Sequence, residues 1–365
     1  MQKHKILLPE KQSSMCQKHY SQKFSHGVFN TLAQTETNYY DTTAIIVNGN
    51  GSDLNNSKAL QGKAKRKMIT QKMVLNLIDV VGNNGADERK KSYWNTYHCQ
   101  NRIFTANGKL YGKYCKNRFC TLCCAIRKAE LINKYLPVIK EWEQPYFVTL
   151  TVKSLELKYL RKLILKVMTA FNRITTKYRK RNQRGKGIKL VGIKSLECNF
   201  NPTKKTYNPH LHLIVANKEM ADTLIKEWLQ IWTRKYTIGI AQDSRPINDR
   251  EKALIEIIKY GSKIFTEPDL YKKVDSEHNI YAAALDNIFR SMKGVRIFER
   301  FGFDLPKENS RKETHATVIK DYGEWIFDPA CFDWINTVTE QRLTNFEPLA
   351  KLIELLNNRI NTDLE

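Results

Sequence analysis

Two histidines flanking one leucine, His210 and His212 in PHLHLIV (209–215), are the side chains of this chain best spaced to act together. In a β-strand alternate side chains share a face, so both imidazoles point one way while Leu211 and Leu213 point the other. Two imidazoles on one face can hold one metal ion. The segment Ile188–Phe200 also reads as strand. A hairpin joining it to His210–Ala216, centred on Lys204 and Lys205, sets Glu197 opposite His212 and Asn199 opposite His210, and directly opposed residues share a face. Glu197 is therefore the candidate third ligand; a cross-strand Glu–His pair without metal is the competing reading. Two histidines and a carboxylate suit a divalent cation with vacant positions, Mg²⁺ or Mn²⁺, able to clamp and polarise a phosphate.

A second pair lies downstream. Glu256 and Tyr260 in LIEIIKYGSKIF (254–265) stand at i and i+4, on one face of a helix, with Lys259 and Lys263 a second such pair one position round. A tyrosine can serve as a covalent nucleophile. Its ordinary pKa is high, and a polarised phosphate with lysines beside it supplies the field that lowers it. Glu256 on the same face is a candidate general base for a water or a hydroxyl.

The third group is cysteine. Cys115, Cys120 and Cys123 follow C-x4-C-x2-C, and Cys99 lies upstream. Four thiolates complete a tetrahedral zinc site. His98 is the substitute fourth ligand and Cys124 a spare beside Cys123; buried structural cysteine is the plainer reading. Cys16, Cys198 and Cys331 are isolated.

The elements that must position these groups follow from pattern. Tyr146–Val152 reads as strand and Leu155–Tyr178 as an amphipathic helix that Gly185 and Gly187 break. The two strands named above come next, then a helix over Lys218–Tyr236 and a short strand at Ile238–Gln242. A helix capped by Asp249 runs to about Phe265. Helical stretches are expected at Ile335–Leu343 and Phe346–Ile360. The order predicts an α+β architecture: helices on a mainly antiparallel sheet.

Composition bounds the partner. The 365 residues carry 61 Lys+Arg against 37 Asp+Glu, a net charge of +24, which favours a polyanion. Lys177, Arg179, Lys180, Arg181, Arg184, Lys186 and Lys189 form a block without an acid, the kind that phosphates neutralise. No apolar run reaches the roughly 18–20 residues a membrane span needs. The apolar stretch Ile6–Pro9 is too short for a signal peptide, so a cytoplasmic location without membrane partners is expected, and the cysteines are read as metal ligands before disulfides.

Three blocks in order, FVTLTV (147–152), NPHLHLIV (208–215) and EIIKYGSK (256–263), resemble the motifs of the rolling-circle replication initiators of small bacterial plasmids, in the His–hydrophobic–His endonuclease superfamily. The segment YCKNRFCTLCCAIRK (114–128) resembles the cysteine-rich block of the single-tyrosine branch, with Thr121 where many relatives have Pro. KSLECNFN (194–201) resembles the strand before the histidine motif. The likeness covers about 97–265.

The resemblance implies a nicking endonuclease fold, an antiparallel sheet with flanking helices, preceded by a small zinc-binding module. It implies catalytic Tyr260 and Glu256, a divalent cation on His210 and His212 with Glu197 as candidate third ligand, and structural zinc on Cys99, Cys115, Cys120 and Cys123. Lys259, Lys263, Lys177, Arg179, Lys180, Arg181 and Arg184 are the candidate DNA contacts. The implied partners are origin DNA, single-stranded or extruded as a hairpin, and a host helicase. The expected domains are a polar, weakly ordered leader (1–90), the cysteine module (91–135), the nicking domain (136–305) and a helical C-terminal region without an assigned role (306–365). A transposase or mobilisation relaxase would use the same chemistry. A zinc-dependent DNA-binding regulator without catalysis is the alternative of another class.

Overall fold

A computed structural model describes residues 44–48, 51–82, 88–260, 279–306 and 316–362. Fourteen strands and eight helices are named in chain order among these residues. They begin with β1 (Ile45–Asn48), β2 (Ser52–Asp53), α1 (Ser57–Val81), α2 (Glu88–Tyr97), β3 (Arg102–Ala106), β4 (Lys109–Gly112) and α3 (Thr121–Lys140). Next come β5 (Tyr146–Thr151), α4 (Leu157–Gln183), β6 (Gly192–Asn201), β7 (Thr206–Val215), α5 (Lys218–Ile231), β8 (Asp243–Pro246) and α6 (Arg250–Tyr260). The last are β9 (Ile280–Tyr281), α7 (Ala282–Ser291), β10 (Phe298–Phe301), β11 (Ala316–Ile319), β12 (Gly323–Asp328), β13 (Asp333–Asn336), α8 (Ala350–Asn358) and β14 (Ile360–Asn361).

The chain divides into two units that interleave along the sequence. One comprises Met1–Met68, Gln100–Tyr114 and Lys312–Pro348; the other Ile69–Cys99, Cys115–Arg311 and Leu349–Glu365. In the first, five strands pair in the order β13-β12-β3-β4-β2, and β1 pairs antiparallel with β11. Ile103, Leu110, Phe327 and Trp334 are buried, and the Trp334 indole N–H donates to the Gln100 carbonyl at 2.7 Å.

The second unit is built on the antiparallel sheet β10-β6-β7-β5-β8. Its central strands β5 and β7 carry apolar residues on both faces, because helices cover both. Val148, Leu150, Leu196, Leu211 and Leu213 point into one core with α4 residues Leu160, Ile164, Val167 and Phe171 and α5 residues Leu224 and Trp228. The alternate residues Phe147, Ile193 and Ile214 point the other way, into a core with Tyr135 and Ile139 of α3 and Leu254, Ile257 and Ile258 of α6. The histidines of β7 lie on this second face, the one α6 covers. An α+β fold with an antiparallel sheet between helices is thus as expected.

Several local expectations need correction. The C-terminal region is not mainly helical: Ile335 belongs to β13, and the stretch that follows is turn. Asp333, wholly buried, organises it by accepting from the Trp334 and Thr344 amides and the Thr344 hydroxyl, which pulls the backbone out of helical geometry. Among the described residues there, α8 alone is helix. Part of the stretch read as a weakly ordered leader is helix: α1 starts at Ser57, where Asn56 Oδ1 caps the Ala59 amide. Ile238–Gln242 is not a strand; Gly239–Ala241 forms a 3-10 turn and the strand is Asp243–Pro246. The helix α4 runs to Gln183, past the expected Tyr178, and stops where Gly185 and Gly187 take φ of +68° and +97°.

Candidate active site and cysteine centre

The hairpin β6–β7 sets the first site. Its turn spans four residues, 202–205, with Lys205 at φ +47° and Asn201 Oδ1 accepting from the Lys204 amide at 2.9 Å. The turn is therefore centred one residue earlier than the sequence suggested. The register moves by two: Glu197 faces His210, Ser195 faces His212, and Asn199 faces Asn208. An even shift preserves faces, so Glu197 still lies with both histidines. Pro209 can occupy this inner strand because the β5–β7 pairing ends at Thr151↔His210. Beyond that point the Asn208 side chain takes over, its Nδ2 donating to the Val152 carbonyl at 2.6 Å.

Glu197, His210 and His212 are 3%, 6% and 7% exposed. Glu197 Oε2 lies 3.3 Å from His210 Nε2 and 3.0 Å from His212 Nε2, and one ligand atom from each residue falls within a 4.8 Å cluster. His210 Nδ1 is 3.0 Å from the Asn208 carbonyl, which assigns it the ring proton and leaves Nε2 as the lone-pair donor. His212 Nδ1 is 3.2 Å from the Thr149 hydroxyl, another outer partner that fixes ring orientation. Across the sheet from His212, the fully buried Ser195 hydroxyl has no hydrogen-bond partner among the described residues. An orphaned buried hydroxyl costs about 1–3 kcal/mol, and a hydrated ion would relieve it. Two oriented imidazoles, a buried carboxylate and this hydroxyl fit a divalent cation.

Asp249 Oδ1 caps α6 by accepting from the Lys252 amide at 2.9 Å, and the helix packs on β6 and β7 through Leu254, Ile257 and Ile258. Glu256 is carried on this helix, which covers the histidine face of the sheet. Tyr260 is the last residue of α6 and Lys259 precedes it. Lys263 lies outside the described residues. Glu256 receives a bond from Arg245 of β8, Nη2 to Oε1 at 3.2 Å.

The basic block sits elsewhere. Lys177, Arg179, Lys180, Arg181 and Arg184 are at the end of α4, on the layer opposite the histidines. Lys177 bonds both oxygens of Glu227 at 2.6 and 2.8 Å, where α4 and α5 pack side by side.

Sequence reasoning passed over Arg245, Thr149 and Ser195. β8 is only four residues long and too polar to register as a strand, yet Asp243 and Arg245 alternate within it and so share a face.

The four cysteines form the second centre. Cys99 follows α2, Cys120 caps α3, Cys123 lies in the first turn of α3, and Cys115 precedes them. Their sulfurs gather within 4.8 Å; Cys123 Sγ is 3.8 Å from Cys99 Sγ and 3.6 Å from Cys115 Sγ. Backbone amides aim at the sulfurs: Cys115 N–H at Cys99 Sγ (3.4 Å) and Lys116 N–H, in a residue at φ +60°, at Cys123 Sγ (3.2 Å). Hydrogen bonds from Cys120, then Cys123 and Cys99, hold the Cys115 thiol far below its usual range. Four converging sulfurs with amide donors at a helix N-terminus are compatible with a thiophilic metal. His98 is not part of the cluster; it stacks on Trp94. Cys124 points its sulfur at the Arg118 carbonyl, 2.8 Å away, and burial pushes its thiol up to about 12. Arg118 is engaged with the Met292 and Val295 carbonyls, and Arg127 with that of Lys116.

On this antiparallel sheet the Glu197–His210–His212 cluster lies on the face covered by α6, the helix that carries Glu256 and Tyr260. The family model described as "Replication protein" matches residues 109–300, more than half of the chain. The chain belongs to this family of replication proteins. The "Protein rep" of Staphylococcus aureus is 30% identical over 171 residues, 42% of this chain and 72% of that protein. Those of Streptococcus pneumoniae serotype 2 (strain D39 / NCTC 7466) and Bacillus amyloliquefaciens are each 27% identical, over 42% and 44% of this chain. The matched stretch spans about half the length of these two, 53% and 54%. No solved structure matches the chain. Among the described residues, no helix is long and apolar enough to cross a membrane.

Proposed function

We propose that this replication protein initiates rolling-circle replication by cutting one DNA strand at its origin. The observation that supports this most is the Glu197–His210–His212 cluster on the sheet face that α6 covers. Tyr260 attacks a phosphodiester: a bond forms between its phenolic oxygen and phosphorus, the bond to the 3′ oxygen breaks, and that oxygen leaves as a 3′-OH that primes synthesis. The DNA 5′ end stays on Tyr260. A divalent cation held by Glu197, His210 and His212 would polarise the phosphate when bound. The Asn208 carbonyl and the Thr149 hydroxyl keep the two rings in orientation for it. At the end of the round Glu256 takes a proton from water, and the resulting hydroxide cuts the regenerated site, so that the circle can be closed without a second protein–DNA link. The cysteine centre would hold zinc and fix the start of α3. Origin DNA and a host helicase are the proposed partners.

Incubation with supercoiled plasmid bearing the element's own origin, with Mn²⁺, tests the reading. The expected result is relaxed plasmid with a covalent adduct that maps to Tyr260. A mobility shift without any adduct would instead favour a DNA-binding regulator that does not cut. Failure of an origin plasmid to need the protein for replication would favour transposition or mobilisation.

A further inference from the structure

Arg245 stands at the outer edge of the catalytic sheet, on β8, directly opposite Phe147 of β5. Its guanidinium lies over the Phe147 ring at 4.8 Å, and that ring lies 5.7 Å from the His212 ring. Nη2 is 3.2 Å from Glu256 Oε1, and Nη1 is 3.9 Å from Asp243 Oδ2, beyond hydrogen-bond reach. One cation thus touches the candidate catalytic carboxylate and is stacked on the aromatic ring bordering the candidate metal cluster.

We infer that Arg245 is a DNA-phosphate site and that Glu256 occupies it in the DNA-free protein. Three observations carry this. A guanidinium has five donors in a planar fork that matches phosphate. Among the described residues, hydrogen bonding uses one of those nitrogens, so most of the fork is open. The Arg245 side chain is 54% exposed and that of Glu256 35%, so the pair is solvated and screened and its exchange for a phosphate costs little. A carboxylate is the natural stand-in for a phosphate oxygen at such a fork. The stack on Phe147 keeps the guanidinium in place when its anion changes. A phosphate arriving at Arg245 would displace the carboxylate, so that the strand and Glu256 compete for one cation. The inference rests on the reading of the protein as a DNA-strand enzyme, but its test requires no cutting.

The test is binding of the full-length protein to fluorescein-labelled oligo(dT) by anisotropy, across a salt series and without added divalent metal. Arg245→Gln should weaken binding about fivefold at low salt and reduce the slope of log affinity against log salt by about 0.7, the contribution of one lost phosphate contact on a single strand. Arg245→Lys, which keeps charge without the fork, should fall between. Glu256→Gln should tighten binding about twofold to threefold with Arg245 present, and not at all in the Arg245→Gln background. Unchanged affinity and slope for Arg245→Gln would overturn the inference. So would equal tightening by Glu256→Gln in both backgrounds, since that is general charge repulsion. Failure of the wild type to nick its origin would sink the proposed chemistry and leave these binding results standing.

Discussion

Glu197 and His210 face each other across the β6–β7 ladder, with Oε2 3.3 Å from Nε2. The same oxygen reaches His212, so one buried carboxylate serves both imidazoles. Replacing Glu197 by Gln keeps the shape but removes the charge. The expected outcome is at least tenfold weaker Mn²⁺ binding, measured by titration calorimetry or electron paramagnetic resonance, with the fold retained. Mn²⁺ affinity equal to wild type would remove Glu197 from the ligand set.

Tyr260→Phe deletes one hydroxyl and little volume, so folding should survive. Nicking and adduct formation should vanish while origin binding stays within about twofold by gel shift. Wild-type adduct levels would reassign the nucleophile.

Glu256→Ala should still form the first adduct but fail to release correctly terminated single-stranded circles from a two-origin plasmid. The helix tolerates the change, since alanine has the higher propensity. If Glu256 only pairs with Arg245 at the surface, Glu256→Gln would cost at most about 1 kcal/mol and leave both cuts intact.

The cysteine centre predicts about one zinc per chain by metal analysis. Cys120→Ser or Cys123→Ser should lose it and unravel the start of α3, read as faster amide exchange over 115–124, because metal binding there contributes folding free energy. Protein purified without chelators and free of zinc would reject the site.

Lys194 is 1% exposed and pairs with Glu299 at 3.0 Å. Burial pushes its ammonium pKa down. Desolvation pushes the Glu299 carboxyl up, but the bonds and charges of Lys194 and Arg296 together more than reverse that, leaving it below its ordinary value. Glu299→Ala strands a buried cation and should cost about 3–5 kcal/mol, whereas Lys194→Met should be near neutral. With the folded carboxyl depressed, the stability it adds is present above the unfolded pKa of about 4.3 and lost as pH falls below it through the folded value. Urea melts at pH 7 and pH 3 check both statements.

Much of the sheet that carries the histidines was legible because its signals are local. The alternation in Phe147–Thr151 and His210–Val215 and the helical spacing of Leu160 to Ile174 each fit inside one element. The register was not, since a four-residue turn and a shorter one demand the same polar residues. Arg245 was hidden because its significance lies in a neighbour eleven positions away on another element, and β8 has almost no apolar pattern. The strands of the other unit escaped for a different reason. β3 pairs with β12, Ile103 against Trp325, and nothing near either segment announces so distant a partner.

The threading of the two units has a practical bearing on dissection. The backbone passes from one to the other after Met68, Cys99, Tyr114, Arg311 and Pro348. No contiguous fragment contains either unit entire without also carrying parts of the other, and a single proteolytic nick cannot release one. Even the stretch 109–300 shared with other replication proteins starts at the first residue of β4, without its partner strand β3. Probing one unit without the other therefore calls for point substitutions, and exchanging one between relatives calls for several grafts at once.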